Sequence, residues 1–159
     1  MPFDAPFHLG PFMVGDDGRL ALASRERLPQ FNLTWRGCRV DAQLRAAPSD
    51  DLQGELHLQA QVGRVPSTAL CHGEPGPAAR RVDVFAALRS LPSSLPEGWQ
   101  VSLLADHRVV LLSAAKLTMP TTVTALLADV TMFLLALGPY LDLLDEVGVE
   151  GVMAGMVKT

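Results

Sequence analysis

Hydrophobic and polar residues alternate with a period of two through much of the first half of the chain. Such alternation is typical of a strand that has one face in the core and the other in water. It predicts three strands, at residues 31–36, 38–45 and 55–62. In the last of these strands, Leu58 is expected to face the core and Gln59 the solvent.

Turn chemistry predicts how the first strands are connected. Residues 36–37 (Arg-Gly) suit the tight turn between the first two of these strands, because glycine tolerates the backbone of a hairpin turn. Residues 15–18 (Gly-Asp-Asp-Gly) separate two apolar arms, 7–14 and 20–23, and predict an N-terminal hairpin. Pro11 limits the first arm to an edge strand or irregular structure.

A third hairpin is predicted in the second half of the chain. Its arms, residues 99–105 and 108–115, flank a turn at Asp106-His107. Both arms are nearly continuous apolar runs, which are typical of central strands covered on both faces. Residues 65–77, rich in proline and glycine, form the longest predicted loop.

Two segments show the spacing of amphipathic helices. The first is predicted at residues 78–91, with Pro92 and Pro96 after it. Val82, Phe85, Ala86 and Arg89 are predicted to share one face of this helix, with Leu88 and Leu91 beside it.

The second predicted helix, about residues 120–147, is the longest element. Thr118 and Pro120 favour its start, and Gly148 favours its end. Apolar residues recur along it at intervals of four and three, which predicts a stripe that packs on the sheet. The residues of this stripe are Val123, Leu127, Val130, Leu134, Leu137, Leu141 and Leu144.

Apolar residues continue round this last helix beyond that stripe. A helix that is apolar all round is buried on more than one side, and a homodimer would cover the second face. The alternative is that strands or the tail, residues 149–157, cover it within one chain. The acids near the end of the helix are candidates to face a basic partner. The candidate interface residues are Met132, Leu135, Tyr140, Asp142, Asp145 and Glu146.

Composition places these elements in one globular domain. The chain has 159 residues, of which 48% are hydrophobic and 19% charged, and this length fits a single domain. We expect residues 1–24 to form the N-terminal hairpin or an irregular extension, 31–147 the core and 148–159 a tail. The predicted class is α+β, with an antiparallel sheet built from β-hairpins packed against two helices, the longer one C-terminal.

The charge distribution narrows the choice of partners. The net charge of −4 argues against nucleic-acid binding, which usually uses a basic face. Six arginines lie between residues 19 and 45, whereas residues 117–157 hold no basic residue. Charge of opposite sign in two parts of one chain can orient a protein partner, and it can also be two solvated faces.

No motif for catalysis, a metal or a cofactor is present in the sequence. Phosphate-binding, dinucleotide-binding and nucleophile-elbow patterns are absent. Cys71, His72 and Glu74 form the only tight cluster of reactive residues, and their spacing fits no metal-ligand pattern. We therefore expect a protein that is not an enzyme and has neither metal nor cofactor.

The sequence also predicts a cytoplasmic protein. The first ten residues lack the basic and long apolar regions of a signal peptide. The most apolar stretch, residues 123–141, contains Asp129 and Pro139 and has no flanking lysine or arginine. We interpret it as a core helix and expect no contact with a membrane.

From Phe31 to Val147 the predicted order is strand, strand, strand, helix, strand, strand, helix. This order, the chain size, the mild acidity and a final helix rich in leucine resemble the core of class I type III secretion chaperones and the related YbjN-like domains. The resemblance implies an antiparallel sheet against helices and frequent dimers. An N-terminal helix of that family is replaced here by the predicted hairpin, and the resemblance assigns no functional residues.

These features predict a homodimeric, non-enzymatic module that binds a protein or a peptide, like a chaperone or an adaptor. The partner would lie along a sheet edge or an apolar groove. The alternative is a small-molecule-binding protein or minor enzyme with a pocket between sheet and helices. Trp35, Trp99 and His57 are the candidates to line such a pocket.

Overall fold

The structure of the protein is a computed structural model that describes residues 5–22, 29–47, 50–66 and 76–151. These residues form two antiparallel sheets and two α-helices. The elements are β1 (Phe7–Leu9), β2 (Phe12–Val14), β3 (Leu20–Leu22), β4 (Gln30–Trp35), β5 (Cys38–Ala47), β6 (Asp50–Arg64), α1 (Gly76–Ser90), β7 (Trp99–Leu103), β8 (Arg108–Thr118) and α2 (Val123–Glu146). The predicted α+β class, with the longer helix C-terminal, is confirmed.

The larger sheet has five antiparallel strands in the order β4-β5-β6-β8-β7. The period-two pattern of β6 holds, because Leu56, Leu58 and Ala60 are buried and Gln59 is exposed. Leu58 lies opposite Ala42 of β5 on this core face. One face of the sheet therefore packs into the core, while the other, with Gln59, stays open to solvent.

The turn between β4 and β5 has the predicted chemistry. Arg36 and Gly37 both have positive φ angles, 49° and 78°. Two successive positive φ angles fit a type I′ turn, whose twist matches that of the adjoining strands. The turn sets Trp35 opposite Cys38 and fixes the register of the pair.

The N-terminal segment forms a three-stranded sheet in the order β1-β2-β3. The predicted first arm is divided in two at Gly10, whose φ angle is 56°. The predicted turn at residues 15–18 is present between β2 and β3. This small sheet leads into the start of α2, since the Leu20 amide donates to the Thr121 carbonyl at 2.9 Å. Phe12 packs edge-on against Phe31, with ring centroids 6.5 Å apart.

The third predicted hairpin is present, but its first arm is not a central strand. β7 lies at the edge of the five-stranded sheet, so the prediction that it is a central strand is wrong. Its apolar residues instead serve one face: Trp99 packs on Phe133 of α2, with ring centroids 4.7 Å apart. β8 is central, and Val109, Val110 and Leu111 are all buried.

The first helix buries only part of the predicted face. Val84 and Leu88 are buried and Phe85 packs against the core, whereas Val82 is 67% exposed and Ala86 is also exposed. Leu88 was predicted beside that face, and Val84 was not part of it. A Cβ added at Gly148 would lie 3.9 Å from a methyl group of Val84, so Val84 lies close to the end of α2.

α2 begins later than predicted and ends where predicted. Thr122 is its N-cap, and its hydroxyl accepts a hydrogen bond from the Ala125 amide at 3.2 Å. Gly148, with a φ angle of 92°, follows its last turn. Leu127 of the predicted stripe is 54% exposed, and Leu126 is buried in its place. The buried residues of the helix are Leu126, Val130, Phe133, Leu137, Gly138, Leu141 and Leu144.

Candidate functional site

Three large exposed apolar side chains of α2 lie on the side of the helix opposite its buried row. We call this surface the outer face and define it by Met132, Leu135 and Leu143, which are 65%, 63% and 40% exposed. Leu127, 54% exposed, borders the buried row instead. The sheet covers only one side of α2, whereas apolar residues lie on both sides of this helix. The outer face is thus an unburied hydrophobic surface, the kind that marks interaction sites in soluble proteins.

Apart from Asp129, the charged residues of α2 lie near its C-terminal end. The first turn of the helix holds no acidic residue and its last turn no basic one. Asp142, Asp145 and Glu146 all fall near the C-terminus of the helix, and Asp145 and Glu146 are exposed there. Acids at this end lie against the negative end of the helix dipole.

The structure separates the predicted interface residues into two groups. Met132 and Leu135 lie on the outer face and are available to a partner. Tyr140 does not belong to it, because its hydroxyl donates to the Ser94 carbonyl at 2.7 Å and its ring lies 6.0 Å from that of Trp99. Tyr140 therefore fixes α2 to the loop before β7.

Asp142 is engaged within its own chain. Its carboxylate accepts a hydrogen bond from Arg36 Nη2 at 2.6 Å, and this bond and the charge of Asp142 raise the pKa of Arg36. The Arg36 guanidinium lies 5.6 Å from the Trp35 ring centroid. A second nitrogen of Arg36 donates to the Gly138 carbonyl at 3.4 Å. The turn between β4 and β5 is in this way attached to the last turns of α2.

A small cavity of about 150 Å³ lies beside that attachment, between Cys38, Leu141 and Val149. The Cys38 side chain is 5% exposed, and burial raises the pKa of its thiol. Cys38 packs as part of the hydrophobic core.

A wider depression of about 670 Å³ lies on the open face of the five-stranded sheet. Polar side chains such as Asn32, Gln59 and Gln100 line it. Ionic groups there are already paired along single strands, as Arg39 is with Asp41 at 2.9 Å. The depression offers hydrogen-bonding groups to solvent but no enclosed apolar chamber.

The three residues proposed to line a common pocket do not share one. Trp99 packs against α2 on the core face, and Trp35 approaches Gly138 on the same side, where an added Cβ would be 3.6 Å from its ring. His57 lies on the open face, with Nε2 3.1 Å from an oxygen of Glu55. The alternation of the strands therefore places His57 on the opposite side of the sheet from both tryptophans.

Within the described ranges, no group of three or more His, Cys, Asp and Glu side chains is placed to hold a metal ion. Cys71, His72 and Glu74, the cluster that the sequence singled out, lie outside the described residues. The sites that the structure does describe are the outer face, the cavity beside Cys38 and the open sheet face.

Of the described helices, α2 is the one long and apolar enough to cross a membrane by length and composition. The core helix of a soluble protein meets the same criteria. Phe133 and Leu137 of this helix are buried in the core of the described residues.

In comparisons with known proteins, no family model, no curated protein and no solved structure matches the chain. The resemblance to secretion chaperones and YbjN-like domains thus stays a prediction that rests on element order.

Proposed function

We propose that this protein is a non-enzymatic, cytoplasmic protein-binding module that forms a homodimer through the outer face of α2. The observation that carries the proposal is the exposure of Met132 and Leu135, 65% and 63%, on a helix whose other side is firmly packed. The described order from β4 to α2 is also the one on which the chaperone resemblance rests. A chaperone- or adaptor-like role is consistent with this order of elements.

Burial of the outer face is energetically favourable. Fully burying one leucine or methionine side chain stabilises a protein or complex by about 1.5–3 kcal/mol. Met132 and Leu135 each keep more than half of their surface in water in the single chain. A partner that covers both side chains gains much of this free energy. A stable interface buries about 800 Å² per chain, so the dimer would also bury surface around these two residues.

A pocket between sheet and helices is less well supported. Leu137 of α2 has no exposed surface, and Phe133 fills the space beside Trp99. Around these residues the layer between α2 and the sheet is occupied by side chains, and the cavity of about 150 Å³ beside Cys38 is small. A larger molecule would have to use the open sheet face, where the lining is polar and solvent-exposed.

Sedimentation equilibrium at micromolar concentration tests the proposal. We expect about twice the chain mass of 17.1 kDa, because two outer faces cover each other. Leu135→Glu should give a monomer, since a carboxylate there would be buried without a cation. The matched control is Leu103→Glu, which changes a leucine that is 42% exposed on β7 and should leave the dimer intact.

Two outcomes would contradict the proposal. A parent protein that sediments as a monomer under these conditions removes the homodimer. A Leu135→Glu variant that stays dimeric while Leu103→Glu dissociates would move the interface to the sheet edge at β7.

A further inference from the structure

Every side-chain amide of this chain lies on the open face of the five-stranded sheet. The sequence contains one asparagine and six glutamines, and the alternation of β4, β5, β6 and β7 turns all seven away from the core. They are Gln30, Asn32, Gln43, Gln53, Gln59, Gln61 and Gln100. A solvated face can use charged residues or threonine equally well, so this concentration of amides indicates a ligand. We infer that the open face binds a neutral, hydroxyl-rich chain, namely an oligosaccharide.

Three of these amides stand in one row across the sheet. Asn32 of β4 lies opposite Asp41, which in turn lies opposite Gln59 of β6. Gln59 and Gln100 lie on either side of Leu112 of β8. With strands about 4.8 Å apart, this row of five positions is roughly 19 Å long. All five residues line the depression of about 670 Å³, so the site suits an elongated ligand that runs across the strands.

The amides of this row are free to bind a ligand. The side chains of Asn32, Gln59 and Gln100 are exposed and have no hydrogen-bond partner among the described residues. Each amide carries donors and an acceptor side by side, so it can bond two neighbouring hydroxyls, which also donate and accept. Between the rows of amides, the partly buried Leu112 and the exposed Ala114 form an apolar floor. A sugar ring matches this combination, because it has hydroxyls at its rim and C–H groups on its faces.

The charges in the depression are balanced, which favours a neutral ligand. Arg39 is paired with Asp41 at 2.9 Å, and Arg45 lies opposite Glu55 in the register of β5 and β6. An anionic ligand would therefore compete with these acids. A peptide strand is less suitable than a sugar chain, because its backbone N–H and C=O groups point sideways, toward neighbouring strands, and not down onto a sheet face.

Titration with oligosaccharides, followed by ¹H–¹⁵N NMR of the side-chain amides, tests the inference. The probes are neutral tetrasaccharides of glucose, mannose, galactose and xylose at millimolar concentration. All the side-chain amide signals of the chain come from this face, and those of Asn32, Gln59 and Gln100 should shift with at least one probe. The signal of Gln53, which is exposed on the same face but does not line the depression, should not shift.

Alanine variants measure the contribution of single amides. Asn32→Ala and Gln100→Ala should each weaken the binding of that probe by roughly two- to tenfold, since each removes hydrogen bonds to the ligand. Gln53→Ala is the matched control and should leave the Kd unchanged. These positions are exposed, so the variants should fold as the parent does, which thermal unfolding checks.

Three results would overturn the inference. The first is that no probe shifts the amide signals, and the second is that Asn32→Ala and Gln100→Ala bind as tightly as the parent. The third is that a tetrasaccharide of galacturonic acid, or a neutral peptide rich in serine and glutamine, binds more tightly than every neutral sugar. The site does not depend on the proposed homodimer, so Leu135→Glu should bind the sugar as the parent does. A parent that sediments as a monomer would remove the proposed function and leave this inference standing.

Discussion

Gly63 is the position at which the structure makes its sharpest prediction about stability. The chain returns after α2 and pairs with the end of β6, where Arg64 and Glu150 exchange two backbone hydrogen bonds of 2.8 and 2.9 Å. A Cβ on Gly63 would lie 2.6 Å from the Glu150 carbonyl oxygen and 2.6 Å from a methyl group of Val149. Heavy atoms do not approach so closely, so Gly63→Ala must displace residues 149–150.

The size of the destabilisation follows from the contacts that this displacement breaks. Two backbone hydrogen bonds contribute about 1 kcal/mol each, and Val149, only 3% exposed, loses part of a burial worth roughly 1.5–3 kcal/mol. We therefore expect Gly63→Ala to destabilise the fold by about 2–4 kcal/mol. Without the collision the substitution would stabilise by about 0.4–1 kcal/mol, because alanine restricts the unfolded chain more than glycine does. A loss of stability in Gly63→Ala would therefore indicate the collision with residues 149–150, and a gain would indicate that there is none.

Denaturant unfolding at a fixed protein concentration measures this change, and hydrogen exchange at the amides of Arg64 and Glu150 reports where it occurs. Gly151→Ala is the matched control, since a Cβ there meets no atom within 4 Å. It should change stability by no more than about 0.5 kcal/mol. A Gly63→Ala variant as stable as the parent, with unchanged exchange at these amides, would refute the pairing of residues 149–150 with β6.

Two further predictions concern the core face of the sheet. Leu58→Ala should destabilise the fold by about 2–5 kcal/mol, because it leaves a cavity at a side chain only 2% exposed. Gln59→Ala and His57→Ala should stay within about 0.5 kcal/mol. Denaturant unfolding compares the three, and equal losses at Leu58 and Gln59 would contradict a one-sided sheet. In a Cys71→Ser variant, the rate at which Cys38 reacts with a thiol reagent should have its pH midpoint above that of free cysteine under the same conditions, since burial raises the pKa of this thiol. A midpoint below that value would mean that Cys38 is not buried.

The sequence alone determined the strands and the ends of several elements. In β6 the alternation of Leu58 and Gln59 identified the strand and both of its faces. This works because successive side chains of a strand point to opposite sides, whichever strands lie beside it. Turns were equally readable at residues 36–37 and 15–18, and Gly148 marked the end of α2, because positive φ angles select glycine locally.

The buried face of each helix was predicted less accurately from the sequence than the strands and turns were. Val82 lies on the face predicted from the sequence and is exposed, while Val84 is buried. Both rows of α1 carry apolar residues, so its sequence alone does not choose between them. In α2, Leu126 and Leu127 are adjacent apolar residues, and the sequence alone does not choose which of the two is buried. The buried row is the one that packs against residues distant in the chain, as Val84 does near Gly148.

Strand order and the candidate site were decided only by the tertiary structure. β7 is as apolar as a central strand, yet it lies at the sheet edge and places Trp99 against α2. Met132 and Leu135 were identified from sequence because they lie off the main stripe, whereas the bond from Tyr140 to Ser94 crosses 46 positions and has no local signal. Periodicity specifies how a segment folds and how many of its sides are apolar. Which apolar side is covered depends on packing between remote segments, and the one left uncovered on α2 is the outer face.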